Sequence, residues 1–376
     1  MSTLLYHDRY LDYDFGPEHP FSPVRQKMVL SLLEALEAPL DVVEPPVASR
    51  EQVRRVHSED FVEMVEAASG GAPPPGARTF GLDTGDVPVF PDMDTAARGL
   101  VGGTLHGARL IASGDASRVL QMGGGLHHAQ ADQAAGFCVY NDLSVAIDLL
   151  RDHELRVAYI DLDVHHGDGV QWLHYDDPDV LTLSLHESGR YLYPGTGHVD
   201  EIGEGAGEGT AVNVPLAPHT ESESYLDAFE RVVPYALTHF GPDVLVAQCG
   251  ADAHYSDPLA DLLLTTRAYE VLFGRLLDLA DEHSAGRLLC TFGGGYRLDA
   301  VARIWSLLAL VVQGHDRPEA LPDEWREHWQ SRLDASLSPT LHDSAPSFRV
   351  SHPEAIAQKN ERTSTQVLEL LAPHWY

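Results

Sequence analysis

Four places in the chain gather residues able to hold a metal ion or move a proton, and each follows a short apolar run. Gly123-Gly124-Gly125-Leu126-His127-His128 follows Val119–Met122, and Asp161-Leu162-Asp163-Val164-His165-His166-Gly167-Asp168-Gly169 follows Val157–Ile160. Gln248-Cys249-Gly250-Ala251-Asp252 follows Val244–Ala247, and Gly293-Gly294-Gly295-Tyr296 follows Leu288–Phe292. Asp163 and His165 stand two positions apart just past a strand, so they can face one side, and Asp252 arrives from another strand end. Three protein ligands with a fourth position open describe a catalytic rather than a structural metal site. Two carboxylates and one imidazole suit Zn²⁺ and are compatible with Fe²⁺. Taken singly, Asp163 and His165 would be turn residues, His127-His128 a solvated pair and Tyr296 a core tyrosine. Their joint arrival gives them chemical meaning. Asp161 and Asp168 flank the ligands and can each accept an imidazole N–H, fixing its tautomer and raising its basicity. Such a set suits hydrolysis at a carbonyl. Water must lose a proton as it attacks, the departing amine must gain one, and Tyr296 can donate to the oxyanion.

These residues need elements that bring them together. The apolar runs Val119–Met122, Val157–Ile160, Val180–Leu185, Val244–Ala247 and Leu288–Phe292 are too short for helices, and each ends in glycine or a polar cluster. Helix-like segments lie between several of them: Leu143–Leu150, Tyr225–Thr238 and Thr266–Asp281. Continuous apolar strands alternating with amphipathic helices predict an α/β fold with a mainly parallel sheet covered on both faces. In such sheets ligands bind beyond the carboxyl ends of the strands. Two long Gly/Pro-rich stretches, Gly70–Asp94 and His186–Pro218, read as loops bordering that edge. No linker divides the chain, so 1–376 reads as one domain, with a core at about 5–312 and a C-terminal extension at about 313–376 packed on it.

Composition narrows the partners. The 376 residues carry 57 acidic and 25 basic side chains, a formal net charge of −32, which repels nucleic acid. Lys27 and Lys359 are the only lysines. With 44% hydrophobic residues this is a core-forming globule rather than a disordered chain. Its acid-rich, lysine-poor surface fits a salt-accumulating cytoplasm, where ~1 M salt shortens the Debye length to ~3 Å. Cys138, Cys249 and Cys290 are odd in number and widely spaced, which argues against a disulfide framework or a cysteine zinc site. No apolar run approaches a membrane span and the N-terminus lacks a signal pattern, so the expectation is a reduced, cytoplasmic protein.

GGGLHHA (Gly123–Ala129), GFCVYND (Gly136–Asp142), YIDLDVHHGDG (Tyr159–Gly169), YPGTG (Tyr193–Gly197), GAD followed by DP (Gly250–Asp252, Asp257-Pro258) and GGGY (Gly293–Tyr296) resemble the histone deacetylase family. They occur in that family's order over roughly residues 5–310. YDFGPEHPFSPVR (Tyr13–Arg25), TGDVPVFP (Thr84–Pro91) and the Trp-containing tail look most like its prokaryotic acetoin-utilisation-type members. The resemblance implies a three-layer α/β/α arginase-like fold and metal-dependent hydrolysis of an N-acetyl amide. By position it implies Asp163, His165 and Asp252 as zinc ligands, His128 as general base and acid, and His127 as its electrostatic partner. Asp161 and Asp168 would hold the two histidines and Tyr296 would polarise the acetyl carbonyl. Gly136, Phe137 and Tyr193 would wall a tunnel for the acyl-lysine methylenes, Tyr193 standing where the family often has phenylalanine. Asp86 would grip the substrate backbone at the rim, and Arg25 would line an internal acetate pocket. The family also binds K⁺. The inner site falls on Asp161, Asp163, His165, Ser184 and Leu185, the outer on His174, Asp177 and Val180.

The resemblance leaves acetylated protein lysine, an acetylated polyamine and other small N-acetylamines as substrates, with the lysine form favoured. A binuclear manganese ureohydrolase would need further carboxylates for a second ion, but Asp163-Val164-His165 runs into His166-Gly167 and Asp252 into Ala253-His254. A silent acyl-binding protein would be expected to have lost Tyr296, a ligand or a histidine, and all are present.

Overall fold

All five apolar runs form strands, and three further segments join them. The strands are β1 (Ser2–Leu5), β2 (Val42–Val43), β3 (Arg118–Gln121), β4 (Val157–Asp161), β5 (Val180–Glu187), β6 (Ala211–Leu216), β7 (Val244–Gln248) and β8 (Leu288–Thr291). The computed structural model describes residues 2–38, 41–344 and 349–375. Residues 1, 39–40, 345–348 and 376, which the expected domain and extension include, lie outside the described residues. Among the described residues the strands make one eight-stranded sheet in the order β2-β1-β3-β8-β7-β4-β5-β6. Every pairing in it is parallel.

Both faces of the sheet are buried, which is why its central strands read as unbroken apolar runs. Val157 and Tyr159 point to one face and pack with Leu143 and Ile147 of the helix Asp142–Asp152 and Ala108 of the helix Met93–Ser113. Ala158 and Ile160 point to the other, in a core shared with the helices Ser222–Phe240, Thr266–His283 and Leu298–Gln313. The helix Val24–Ala35 packs against Leu298–Gln313. Local sequence sets the boundaries. The side chain of Asn141 accepts the Ser144 N–H at 2.9 Å and caps Asp142–Asp152. Gly314, at φ 70°, ends Leu298–Gln313 in the left-handed conformation that glycine adopts freely.

One expectation needs correction. His186–Pro218 is not wholly loop, because β5 continues to Glu187 and Ala211–Leu216 forms β6. Pro215 disguised that strand, and proline is tolerated there because β6 lies at the sheet edge. Gly70–Asp94 is loop apart from a 3₁₀ turn at Ala77–Phe80 and the start of the helix at Met93. The tail contains the helices Asp323–Leu333 and Pro353–Trp375. Its indole N–H groups tie it to the rest: Trp325 to Met28 O at 3.2 Å and Trp329 to Ser31 Oγ at 3.0 Å. No helix among the described residues is long and apolar enough to cross a membrane.

Candidate active site

The strand order brings β3, β8, β7 and β4 side by side, and their parallel direction sends all four following loops to one edge. There Asp163, His165 and Asp252 offer ligand atoms that lie within 4.8 Å of one another, all three residues buried. His165 Nδ1 stands 3.1 Å from Asp163 Oδ1 and 3.3 Å from Asp252 Oδ2. The remaining carboxylate oxygens are already committed. Asp163 Oδ2 accepts from Gln248 Nε2 at 2.6 Å and the Gly294 N–H at 3.0 Å, and Asp252 Oδ1 accepts the Val164 N–H at 2.9 Å. Burial and the facing carboxylate of Asp163 raise Asp252 to about 8. Burial opposes charge on His165, yet the two carboxylates prevail and raise it to about 10. Two buried carboxylates with one imidazole form a donor set short of positive charge, which fits a divalent cation.

Beside this set the paired histidines are held by separate acids. His127 Nδ1 meets Asp161 Oδ2 at 2.8 Å, and Tyr159 donates its hydroxyl to the same oxygen at 2.6 Å. His128 Nδ1 meets Asp168 Oδ1 at 2.7 Å, with Gln130 Nε2 donating to Oδ2 at 2.9 Å. Their surroundings drive the two rings apart. Burial opposes charge on His127, but Asp161 and Asp163 outweigh it and lift the ring to about 9. Burial and the charge of His127 push His128 down to about 4, against the pull of Asp168. One imidazole is therefore held charged and its neighbour neutral.

Two cavities meet over these residues. The outer, about 210 Å³, is lined by Asp86, Leu192, Tyr193 and Leu259 at the mouth and by His165 deeper in. The inner, about 20 Å³, is lined by Phe21, Leu126, Asp163, Gly293 and Gly294 among others. His128, Gly136, Phe137 and Tyr296 line both. The Tyr193 ring lies 5.1 Å from that of His128, and the Phe137 ring 5.6 Å from that of Tyr296. A β-carbon on Gly136, which has φ 50°, would collide with the His128 ring, so only glycine lets this wall close. Burial, then Asp252 and Asp163, push the Tyr296 phenol well above its ordinary range, so it remains protonated and able to donate. Arg25 is buried, donates to Gly295 O at 2.7 Å and lies over the rings of Phe21 (4.4 Å) and Trp305 (4.8 Å).

The positions linked to K⁺ lie on β4, the loop after it that holds Asp163 and His165, β5 and the turn before β5. Asp161 and Ser184 are register partners, Leu185 follows Ser184 in β5, and Asp177 precedes Val180 in a turn that His174 begins. Several supporting residues were not singled out from sequence. Asp142 is fully buried and accepts the N–H groups of Gly125 and Leu126, shaping the loop that carries both histidines. Asp257 accepts the Tyr296 N–H at 2.8 Å, and the Tyr13 hydroxyl donates to Phe137 O at 2.7 Å. Asp142 and Asp257 lay inside quoted motifs, GFCVYND and the DP dipeptide, which was the available signal. Tyr13 opens the segment YDFGPEHPFSPVR, but nothing in that segment points to a partner 124 positions away.

Residues 19–312 match the family model for the histone deacetylase domain. The chain belongs to the histone deacetylase family. The acetoin utilization protein AcuC of Bacillus subtilis (strain 168) is 40% identical over 373 residues, 98% of this chain and 96% of the relative. That of Staphylococcus aureus (strain MRSA252) is 36% identical over 383 residues, 100% of this chain and 97% of the relative. A crystal structure of an HDAC homologue complexed with SAHA superposes with a TM-score of 0.87 at 28% identity, covering 96% of this chain and 99% of the other. One of an HDAC homologue from Aquifex aeolicus gives 0.85 at the same identity and coverage. The deacetylase fold is thus the eight-stranded parallel sheet between helices described above, and the chain is a deacetylase of the AcuC type.

Proposed function

We propose that this deacetylase removes acetyl groups from lysine side chains of polypeptides, using Asp163, His165 and Asp252 to hold zinc. The observation that carries this reading is the buried ligand triad beneath a narrow cavity whose walls include both His128, backed by Asp168 at 2.7 Å, and the Tyr296 phenol. Zinc suits two carboxylates and one imidazole, and Fe²⁺ fits the same donors. When bound, the ion would supply Lewis acidity to the amide carbonyl and the attacking water. His128 Nδ1 is committed to Asp168, which leaves Nε2 to take the proton of the water and deliver it to the departing amine. His127, charged and fixed by Asp161, favours negative charge in the transition state. Tyr296 donates to the developing oxyanion. Gly136, Phe137 and Tyr193 wall the methylene chain, Asp86 stands at the rim for the substrate backbone, and Arg25 attracts the released carboxylate. K⁺ at Asp161, Asp163, His165, Ser184 and Leu185, and at His174, Asp177 and Val180, would brace β4 and β5 under the site.

The test is a comparison of the zinc-loaded enzyme on acetyl-lysine peptides, N-acetylputrescine and N-acetylspermidine. Peptides are expected to give the highest kcat/KM, and a preference above tenfold for the polyamines overturns the lysine assignment. In the same assay Tyr296→Phe should lower kcat about 10²–10³-fold with zinc still bound. An unchanged rate removes its oxyanion role.

A further inference from the structure

On a chain with a net charge of −32, basic side chains are scarce, and many of them are neutralised in ion pairs, as at Arg50, Arg55, Arg151 and Arg275. One groove departs from this pattern. It has a volume of about 710 Å³ and is lined by Arg190, His198, Lys359 and Arg362, with Asp200 the single acid. Arg190, Lys359 and Arg362 are exposed, and among the described residues none of them takes part in an ion pair. Lys359, one of only two lysines in the chain, rests instead over the exposed ring of Tyr191 at 5.5 Å.

The groove is firmly built. Its floor includes Ser188, just past β5, and Pro215 of β6, and the Ser188 N–H donates to Leu216 O at 2.8 Å. Its far wall is the helix Pro353–Trp375, fastened by Asn360, which accepts the Ala217 N–H at 3.0 Å and donates to Thr220 and Ser224. It also adjoins the active site. Ser188 and Arg190 line the groove while Leu192 and Tyr193 line the cavity mouth. Three peptide units separate Arg190 from Tyr193, so their Cα atoms are at most about 11 Å apart.

We propose that this groove is a specificity site that binds carboxylate side chains of the polypeptide substrate, two to four residues from the acetyl-lysine. The proposal rests on the lysine deacetylase reading and names which lysines are chosen. An extended chain advances about 3.3–3.6 Å per residue, so that spacing spans the step from mouth to groove. Exposed Tyr191 and Tyr193 give the intervening backbone a surface to lie on. The same cations oppose the approach of a cationic acetylpolyamine, although the chain as a whole is acidic.

The experiment measures kcat/KM of the zinc-loaded enzyme on acetyl-lysine peptides carrying Glu, Ala or Lys two to four residues from the acetylated side chain. At low ionic strength the Glu peptides should exceed the Ala peptides about fivefold, through KM, and the ratio should fall below twofold in 0.5 M salt. The double variant Arg190→Glu/Arg362→Glu should reverse the order, Lys above Glu. A structural role for these arginines would lower all three peptides together, so an unreversed order overturns the proposal. A flat series in the parent enzyme overturns the groove assignment while leaving the deacetylase reading intact. Binding of inorganic phosphate in the groove alongside a flat series marks a free-anion site and also overturns it. Hydrolysis of N-acetylputrescine without turnover of any peptide overturns the lysine reading itself.

Discussion

Gly294 offers a clean steric probe of the metal site. Its backbone N–H donates to Asp163 Oδ2 at 3.0 Å, and its carbonyl accepts the Ala251 N–H at 2.8 Å, so it cannot easily retreat. A β-carbon there would come within 2.5 Å of Asp163 Oδ2 and closer still to Asp252 Oδ2, against an ordinary contact of 3.4 Å or more. Gly294→Ala must therefore displace both carboxylates by about 1 Å, whereas metal–ligand distances tolerate only about 0.2 Å. Its φ is not in the left-handed region, so the effect is one of volume and not of backbone strain. Misplacement of about 1 Å costs on the order of 100-fold in rate, and overpacking costs about 1–3 kcal/mol of stability. The expected result is a drop of 100-fold or more in kcat/KM, with zinc affinity reduced at least tenfold by competition with a chelator and the fold retained by circular dichroism. Gly274→Ala is the control. It lies inside the helix Thr266–His283, its β-carbon would meet nothing within 4 Å, and it should gain about 0.5–1 kcal/mol without changing zinc affinity. Parental zinc affinity and activity within threefold in Gly294→Ala would refute the assignment of Asp163 and Asp252 as ligands.

Two further predictions concern stability. His57 is buried, with Nδ1 at 2.8 Å from Gln130 O and Nε2 accepting the Asn141 N–H at 2.9 Å, so its partners demand the neutral ring. Burial lowers it to about 4, below the value of 6.5 expected when unfolded. The unfolded state then takes up the proton first, and the stability is present above pH 6.5 and lost as pH falls toward 4. This amounts to about 2 kcal/mol between pH 7 and pH 5, read as the extra loss in urea unfolding of the parent over His57→Gln; equal losses would show that His57 does not titrate in this way. Asp343 accepts from Arg303 at 2.8 Å, His254 at 2.9 Å and Thr266 N–H at 2.8 Å, joining the tail to the loop beyond Asp252. Asp343→Asn leaves the buried Arg303 with Asp299 as its one carboxylate partner among the described residues and should cost about 3 kcal/mol in one cooperative transition. Two separate transitions would contradict a single domain.

The strands that matter most for chemistry were legible because both faces of the sheet are buried, which leaves each as a short apolar block ended by glycine or a polar cluster. The edge strands were not. β2 is two residues long and β6 carries Pro215, so neither shows the apolar block of an interior strand. Candidate ligands and histidines were likewise legible, since their types and their placement after strands are local properties of the chain.

What only the tertiary structure decided is adjacency. Nothing local puts β3 beside β8 and β8 beside β7, yet that order carries His127, His128, Asp252 and Tyr296 to Asp163 and His165. The difference between the two histidines also belongs to the fold. They are chemically identical neighbours in sequence, and only their placement decides their charge: His127 is set between Asp161 and Asp163, whereas His128 is buried beside a charged ring. The cationic groove arises in the same way, from Arg190 and residues 359–362, which lie some 170 positions apart and meet only because the last helix packs along β6. Residue type and spacing determined which chemistry the chain is able to perform. Packing of distant segments determined which groups share a low-dielectric space, and therefore which are charged, which are neutral and what they face.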